Sequence, residues 1–147
     1  MEGFRFSTSV RVRYAEIDVQ NVVFNAHYMT YLDIGISDYY RKGLQLDPRE
    51  LAKQGVFEFV LASCTLDFKQ SATLDDVLHI WCRTVDIGRS SMKTEFAIVR
   101  DSETEPLLTA TFIYVSIDPK TKRSQPVPTL VRERIEQYEG RTFSKPS

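Results

Sequence analysis

The sequence predicts an α+β domain in which an antiparallel five-stranded sheet wraps around one long central helix. Three observations lead there. Five stretches of the chain alternate polar and apolar residues with period two, as half-buried strands do. One stretch carries its apolar residues at helical spacing instead. The links between the last four strands are short, which makes consecutive strands antiparallel neighbours. The order strand, long helix, four strands, small helix fits an α+β plan.

The first strand spans Phe4 to Tyr14, with Phe4, Phe6, Thr8, Val10, Val12 and Tyr14 on one side and Arg5, Ser7, Ser9, Arg11 and Arg13 on the other. Ala15 to Phe24 follows neither period and carries Glu16, Asp18, Gln20 and Asn21. Asn25 suits an N-cap, and Tyr28, Tyr31, Leu32, Gly35, Ile36 and Tyr39 mark a helix over about Ala26–Lys42. Arg41 and Lys42 suit the negative end of its dipole, and Gly43 suits a left-handed stop. Gly35 lowers helical propensity in mid-helix, so a strand is expected to pass close over it.

Asp47 and Pro48 open a short helix to Gln54. Val56–Phe68, Asp76–Ile87, Met92–Arg100 and Leu107–Ile117 read as the remaining strands, and Thr129–Tyr138 as a terminal amphipathic helix. Leu107, Ile113, Val115 and Ile117 lie opposite Leu108, Phe112 and Tyr114, so the last strand is apolar on both faces. One helix cannot cover both, and a homo-oligomer is expected, a dimer or a tetramer built from dimers.

The 147 residues suit a single domain, 1–147. Nineteen basic residues against twenty acidic ones leave a net charge of −1, which offers no footprint for nucleic acid. No apolar run approaches the length of a membrane span, and the N-terminus alternates rather than forming a signal peptide. Cys64 and Cys82 read as buried thiols in a reducing compartment, so the cytosol is the expected location. Phosphate-binding glycine loops, a G-x-S-x-G elbow and a C-x-x-C pair are all missing. His27 and His79 are the only histidines, which excludes a histidine-rich metal site. Asp75 and Asp76 read as turn chemistry, and His79 as a packing residue in its strand.

Chemistry concentrates in Arg13-Tyr14-Ala15-Glu16-Ile17-Asp18, followed by Val22-Val23-Phe24-Asn25-Ala26-His27-Tyr28. Carboxylates and amides here precede a helix start, whose free N–H groups and positive dipole end can hold an oxyanion. A carboxylate beside them can attack a carbonyl or deprotonate a water. From residue types alone, two readings stand: a catalytic loop, or a loop that Asp18 shapes and Asn25 caps.

This segment resembles the signature of the 4-hydroxybenzoyl-CoA thioesterase-like family of hotdog-fold acyl-CoA thioesterases, R-[FY]-x-[DE]-x-D, then a loop and a helix start of the N-x-x-Y kind. Tyr31-Leu32-Asp33, Leu66-Asp67-Phe68-Lys69 to Asp75-Asp76, and Asp86-Ile87-Gly88-Arg89-Ser90-Ser91 extend the likeness over roughly Ser9 to Ile117. The resemblance implies hydrolysis of an acyl-CoA thioester, with Asp18 as the catalytic carboxylate and no metal or organic cofactor. It places the thioester oxygen on backbone N–H groups on or beside Asn25, among Asn25, Ala26 and His27. Asp33 falls where aromatic-acyl enzymes touch the acyl group, and Arg89 and Ser90 where CoA is met. The chain departs from the family at Asn21, where a glycine often stands three residues after the aspartate, and at Asn25, where some relatives have a histidine. Hydrolysis of acyl groups on acyl-carrier protein and a non-catalytic acyl-CoA binding module are the rivals. A hotdog hydratase fits less well, because its Asp–His pair is more closely spaced than Asp18 and His27.

Overall fold

The computed structural model describes residues 1–143. It contains β1 (Phe6–Arg11), α1 (Asn25–Asp38), α2 (Pro48–Lys53), β2 (Glu58–Phe68), β3 (Val77–Ile87), β4 (Ser91–Arg100), β5 (Pro106–Ile117) and α3 (Thr129–Glu139). The strands form one antiparallel sheet in the order β1-β3-β4-β5-β2. α1 lies across one face of it, giving the hotdog arrangement that the sequence predicts.

Side-chain size sets how close that packing is. A Cβ on Gly35 would stand 2.7 Å from Ile80 Cγ2 and 3.6 Å from the Phe96 ring, so the helix meets β3 and β4 where it has no side chain. Leu78, Ile80 and Cys82 of β3, Phe96 and Ile98 of β4 and Phe112 of β5 are buried beneath it with Tyr28, Leu32 and Ile36. α3 closes the far end, where Tyr138 meets Phe6 and Tyr39 edge-on at 6.5 and 5.7 Å.

Five expectations are corrected. The short link from β2 to β3 does not make them neighbours: β2 pairs with β5, and β4 and β5 lie between it and β3. An extended link of that length reaches roughly 20 Å or more, beyond the about 14 Å across three strand spacings. β1 is shorter than the alternation suggests: Tyr14 is solvent-exposed, and Phe4 sits on the opposite face against Trp81 under the Arg83 guanidinium. Asn25 is the first helical residue, and the cap position falls to Phe24 with no side-chain cap. The helix does not stop at a left-handed Gly43. It widens into a π turn over Tyr39–Gly43, and the left-handed residue is Gln45, with φ 57°. Gly43 is instead a point of close approach, 3.3 Å from the Phe6 ring for an added Cβ. Cys64 is exposed, because β2 is an edge strand with no neighbour on one side, whereas Cys82 is buried and both thiols are free.

Apolar side chains are exposed along that same edge, as they are on the loop before α1 at Tyr14 and Val19. Val60 and Leu61, adjacent in β2 on either side of the strand, are 41% and 40% exposed, and Phe68 at its end is 52% exposed. Among the described residues no helix is long and apolar enough to cross a membrane.

Candidate active site

After β1 the chain leaves the sheet by two bonds at Val12, whose N–H donates to the Asp76 carbonyl at 2.8 Å and whose carbonyl accepts from Asp75 N–H at 3.2 Å, and makes a 3₁₀ turn over Tyr14–Glu16. It then forms a miniature hairpin. Ile17 and Val23 pair as an antiparallel bridge, Asp18 N–H donates to Val22 O at 2.9 Å, and Asn21 N–H donates to Asp18 O at 3.0 Å. Asn21 has φ 64°, the left-handed conformation that a glycine adopts without strain and that asparagine tolerates better than most residues. The departure from the family's glycine therefore leaves the tight turn in place.

Asp18 sits half-buried on this hairpin, and its Oδ1 accepts from Gln20 N–H at 2.7 Å. One carboxylate oxygen shapes the turn while the other has no hydrogen-bond partner among the described residues. The loop-shaping and catalytic readings of Asp18 are thus compatible. The hairpin delivers the chain to α1 through Phe24, whose N–H donates to Glu16 O at 3.0 Å. His27 N–H bonds back to Phe24 O at 2.9 Å. The N–H groups of Asn25 and Ala26 find no acceptor among the described residues, as expected of a helix start whose preceding turn offers no carbonyls. His27 is half-buried with its ring edge-on to Phe24 at 6.1 Å, and its imidazole makes no hydrogen bond among the described residues.

The second wall comes from the link between β2 and β3. Ala72 is buried, accepts from Val23 N–H at 2.9 Å and donates to the Tyr28 hydroxyl at 3.0 Å. Asp76 is more than a solvated turn residue. It accepts from Thr73 N–H at 2.8 Å and Arg100 Nε at 3.0 Å, and although desolvation pulls its pKa up, these bonds hold it below the ordinary carboxylate value. His79 lies half-buried in β3, as a packing residue would, but its Nε2 is also 2.9 Å from Asp101 Oδ1. Further along α1, Asp33 is exposed overall, and partial burial of its carboxyl raises its pKa by desolvation.

Arg89 and Ser90 stand elsewhere. Asp18 belongs to the end of the sheet where β3 begins, and the Gly88–Ser91 turn follows the other end of that strand. Eleven residues of β3 separate them, about 35 Å at about 3.3 Å per residue. One chain therefore places Asp18 on the hairpin that leads into the helix start of Asn25, Ala26 and His27, and Arg89 and Ser90 at the far end of the sheet. The distant turn is nonetheless held firmly. Gly88 O accepts from the buried Arg132 at 2.6 Å, Arg89 O from Val127 N–H at 2.8 Å, and Ser90 O from Ser116 N–H at 2.7 Å. Three successive carbonyls face inward, leaving the exposed Arg89 side chain on a rigid support. Sequence reasoning missed Arg132 because a lone arginine in an amphipathic helix carries no signal of burial. Among the described residues no group of three or more His, Cys, Asp or Glu side chains could hold a metal ion.

The family profile described as the thioesterase-like superfamily matches residues 12–135. The chain belongs to that superfamily. Its reaction class is thioester hydrolysis, and the match covers both the hairpin and the distant turn. The long-chain acyl-CoA thioesterase FadM of Escherichia coli is 26% identical over 131 residues, covering 88% of this chain and 96% of that protein. The acyl-CoA thioesterase YbgC of Haemophilus influenzae is 26% identical over 97 residues, 66% of this chain and 71% of that one. A solved Thermus thermophilus thioesterase, complexed with coenzyme A and Zn, superposes with a TM-score of 0.82 at 29% identity, over 97% of this chain and all of that one.

Proposed function

We propose that this thioesterase-like chain hydrolyses acyl-CoA thioesters to a carboxylic acid and free CoA, with Asp18 as the reacting carboxylate and no cofactor. The observation that carries the reading is the placement of Asp18 on a hydrogen-bonded hairpin that leads into a helix start with two free N–H groups, on Asn25 and Ala26. Such donors gain strength as charge develops on the thioester oxygen, so they favour the transition state over the bound substrate. The unpartnered Asp18 oxygen either attacks the carbonyl carbon, expelling CoA as its thiolate and forming a mixed anhydride that water then opens, or takes a proton from a water that attacks the carbon as the C–S bond breaks and the thiolate leaves. His27 lines the helix start beside them. The names of FadM and YbgC, and the CoA in the Thermus structure, support CoA as the carrier.

The remaining contacts require a second copy. β2 offers an unpaired edge of eleven residues with apolar side chains exposed on both faces. Two copies paired antiparallel along it continue the sheet. The start of β2 lies at the Gly88 end of the sheet and its finish at the Asp18 end, as the pairing of β2 with β5 and of β4 with β5 requires. Antiparallel pairing therefore brings Arg89 and Ser90 of the partner subunit to the Asp18 end. Each site then takes its carboxylate from one chain and its CoA phosphate contact from the other, and Asp33 faces the acyl portion from α1. Dimers of this kind can associate further into a tetramer, and the two free thiols suit a reducing cytosolic setting.

A panel of acyl-CoA esters, from short to long chains and aromatic acids, tests the reading alongside Asp18→Asn. The parent is expected to hydrolyse part of the panel, and Asp18→Asn to lower kcat by at least about a hundredfold with folding intact. Parental rates in Asp18→Asn would refute the assignment. A parent that binds the esters and hydrolyses none would establish a binding module instead.

A further inference from the structure

Two residues before Asp18 lies a second carboxylate that the proposed chemistry does not use. Glu16 is 3% exposed. Its Oε1 accepts from Arg13 N–H at 2.9 Å and from the Tyr31 hydroxyl at 2.7 Å. Its Oε2 accepts from Arg13 Nε at 2.8 Å and from a second guanidinium nitrogen at 2.5 Å. Its backbone oxygen takes the Phe24 N–H. Burial alone would raise the Glu16 pKa, but the Arg13 N–H, the Arg13 guanidinium and the Tyr31 hydroxyl outweigh it and hold the group below the ordinary value. A carboxylate so enclosed, with both oxygens taken by donors, cannot serve as nucleophile or base.

The donors come from three places that must keep their relation for the site to work. Arg13 is the exit of β1, Phe24 caps α1, and Tyr31 lies two turns inside α1, 1% exposed and edge-on to Tyr28 at 5.9 Å. Tyr28 in turn holds Ala72, which holds Val23, the far root of the hairpin. One root of the Asp18 hairpin is thus tied to the helix through Glu16 and the other through Ala72. An ion pair with a buried carboxylate, such as Arg13–Glu16, is a poor source of stability, because desolvation consumes most of what its hydrogen bonds return. Its directional bonds do hold geometry.

We propose that Glu16 is a positioning residue: through Tyr31 and Arg13 it holds the hairpin on α1, keeping Asp18 in fixed relation to the free N–H groups of Asn25 and Ala26. This rests on the assignment of Asp18 made above. Tyr31→Phe removes one bond to the carboxylate without removing the ring, and Glu16→Gln keeps the shape while removing the charge. In both, kcat falls about tenfold with KM within about twofold, the loss of one charge-assisted bond expressed in the chemical step. Amide exchange at Asp18 and Phe24 quickens about tenfold, while Ile80 and Phe96 in the sheet keep parental protection.

A merely structural Glu16 gives a different result. All amides then quicken together in proportion to lost global stability, kcat per folded molecule stays parental, and the proposal is overturned. If one variant fails to fold, the other carries the test. If the parent proves to have no hydrolase activity, the functional reading fails by itself. Selective exchange at Asp18 and Phe24 then still supports the Glu16 tie, and uniform exchange still removes it.

Discussion

The separation of Asp18 from Arg89 by the length of β3 leads to a complementation experiment. Asp18→Asn removes the reacting carboxylate from a chain, and Arg89→Ala removes the proposed phosphate contact. If that contact supplies about 2 kcal/mol to binding shared by ground and transition states, Arg89→Ala lowers kcat/KM by about 30-fold and leaves kcat near parental. The two variants are refolded together at equal concentration and assayed well below KM. Random pairing makes about half of all dimers mixed. If each site draws Asp18 from one chain and Arg89 from the other, a mixed dimer holds one intact site and one lacking both residues. The mixture then shows about a quarter of the parental rate, against about 2% if one chain supplied both residues to its own site. An activity equal to the mean of the two separately folded variants would refute the composite site, and with it the pairing of copies through β2.

Two further outcomes follow from the site's construction. Asn21→Val forces a β-branched residue into φ 64° and should cost about 1–2 kcal/mol in denaturant unfolding, whereas Asn21→Gly should fold and turn over as the parent does; equal stability of the valine and glycine variants would mean that the hairpin does not hold that turn in solution. Glu16 and Asp76 both have depressed pKa values in the fold, so in acid the unfolded chain binds more protons than the folded one and stability falls with pH. Their contribution is fully present above the ordinary carboxylate values near 4 and lost below them, so Tm should hold steady above about pH 5 and drop towards pH 3, less steeply in Glu16→Gln; a Tm that rises over that interval would contradict the buried carboxylate.

The alternation of β1 to β5 and the helical spacing of Tyr28, Leu32, Ile36 and Tyr39 were legible because they are local: one residue in two, or three to four, must face a common core. The same reading placed Gly35 under a strand, and Ile80 is there. It over-extended β1 at Phe4 and Tyr14, since alternation persists in a chain that has already left the sheet. It put Asn25 at the cap because residue preference cannot register that Phe24 N–H is claimed by Glu16 O. It placed Asp18 in the loop that leads to the helix start, since the two are a few residues apart in the chain.

What the sequence determined by itself is therefore the kind and order of the elements and the segment where a carboxylate-bearing loop precedes a helix start. Both follow from periodicity and from residues a few positions apart. Only the tertiary structure decided that β2 pairs with β5 and lies at an edge, which exposes Cys64 and Phe68. It also decided that Glu16 is buried against Tyr31, and that Asp18 and Arg89 of one chain lie at opposite ends of the sheet. These depend on which distant surfaces exclude water from each other. Pairing between strands far apart in the chain sets that, and no local pattern of residue types encodes it.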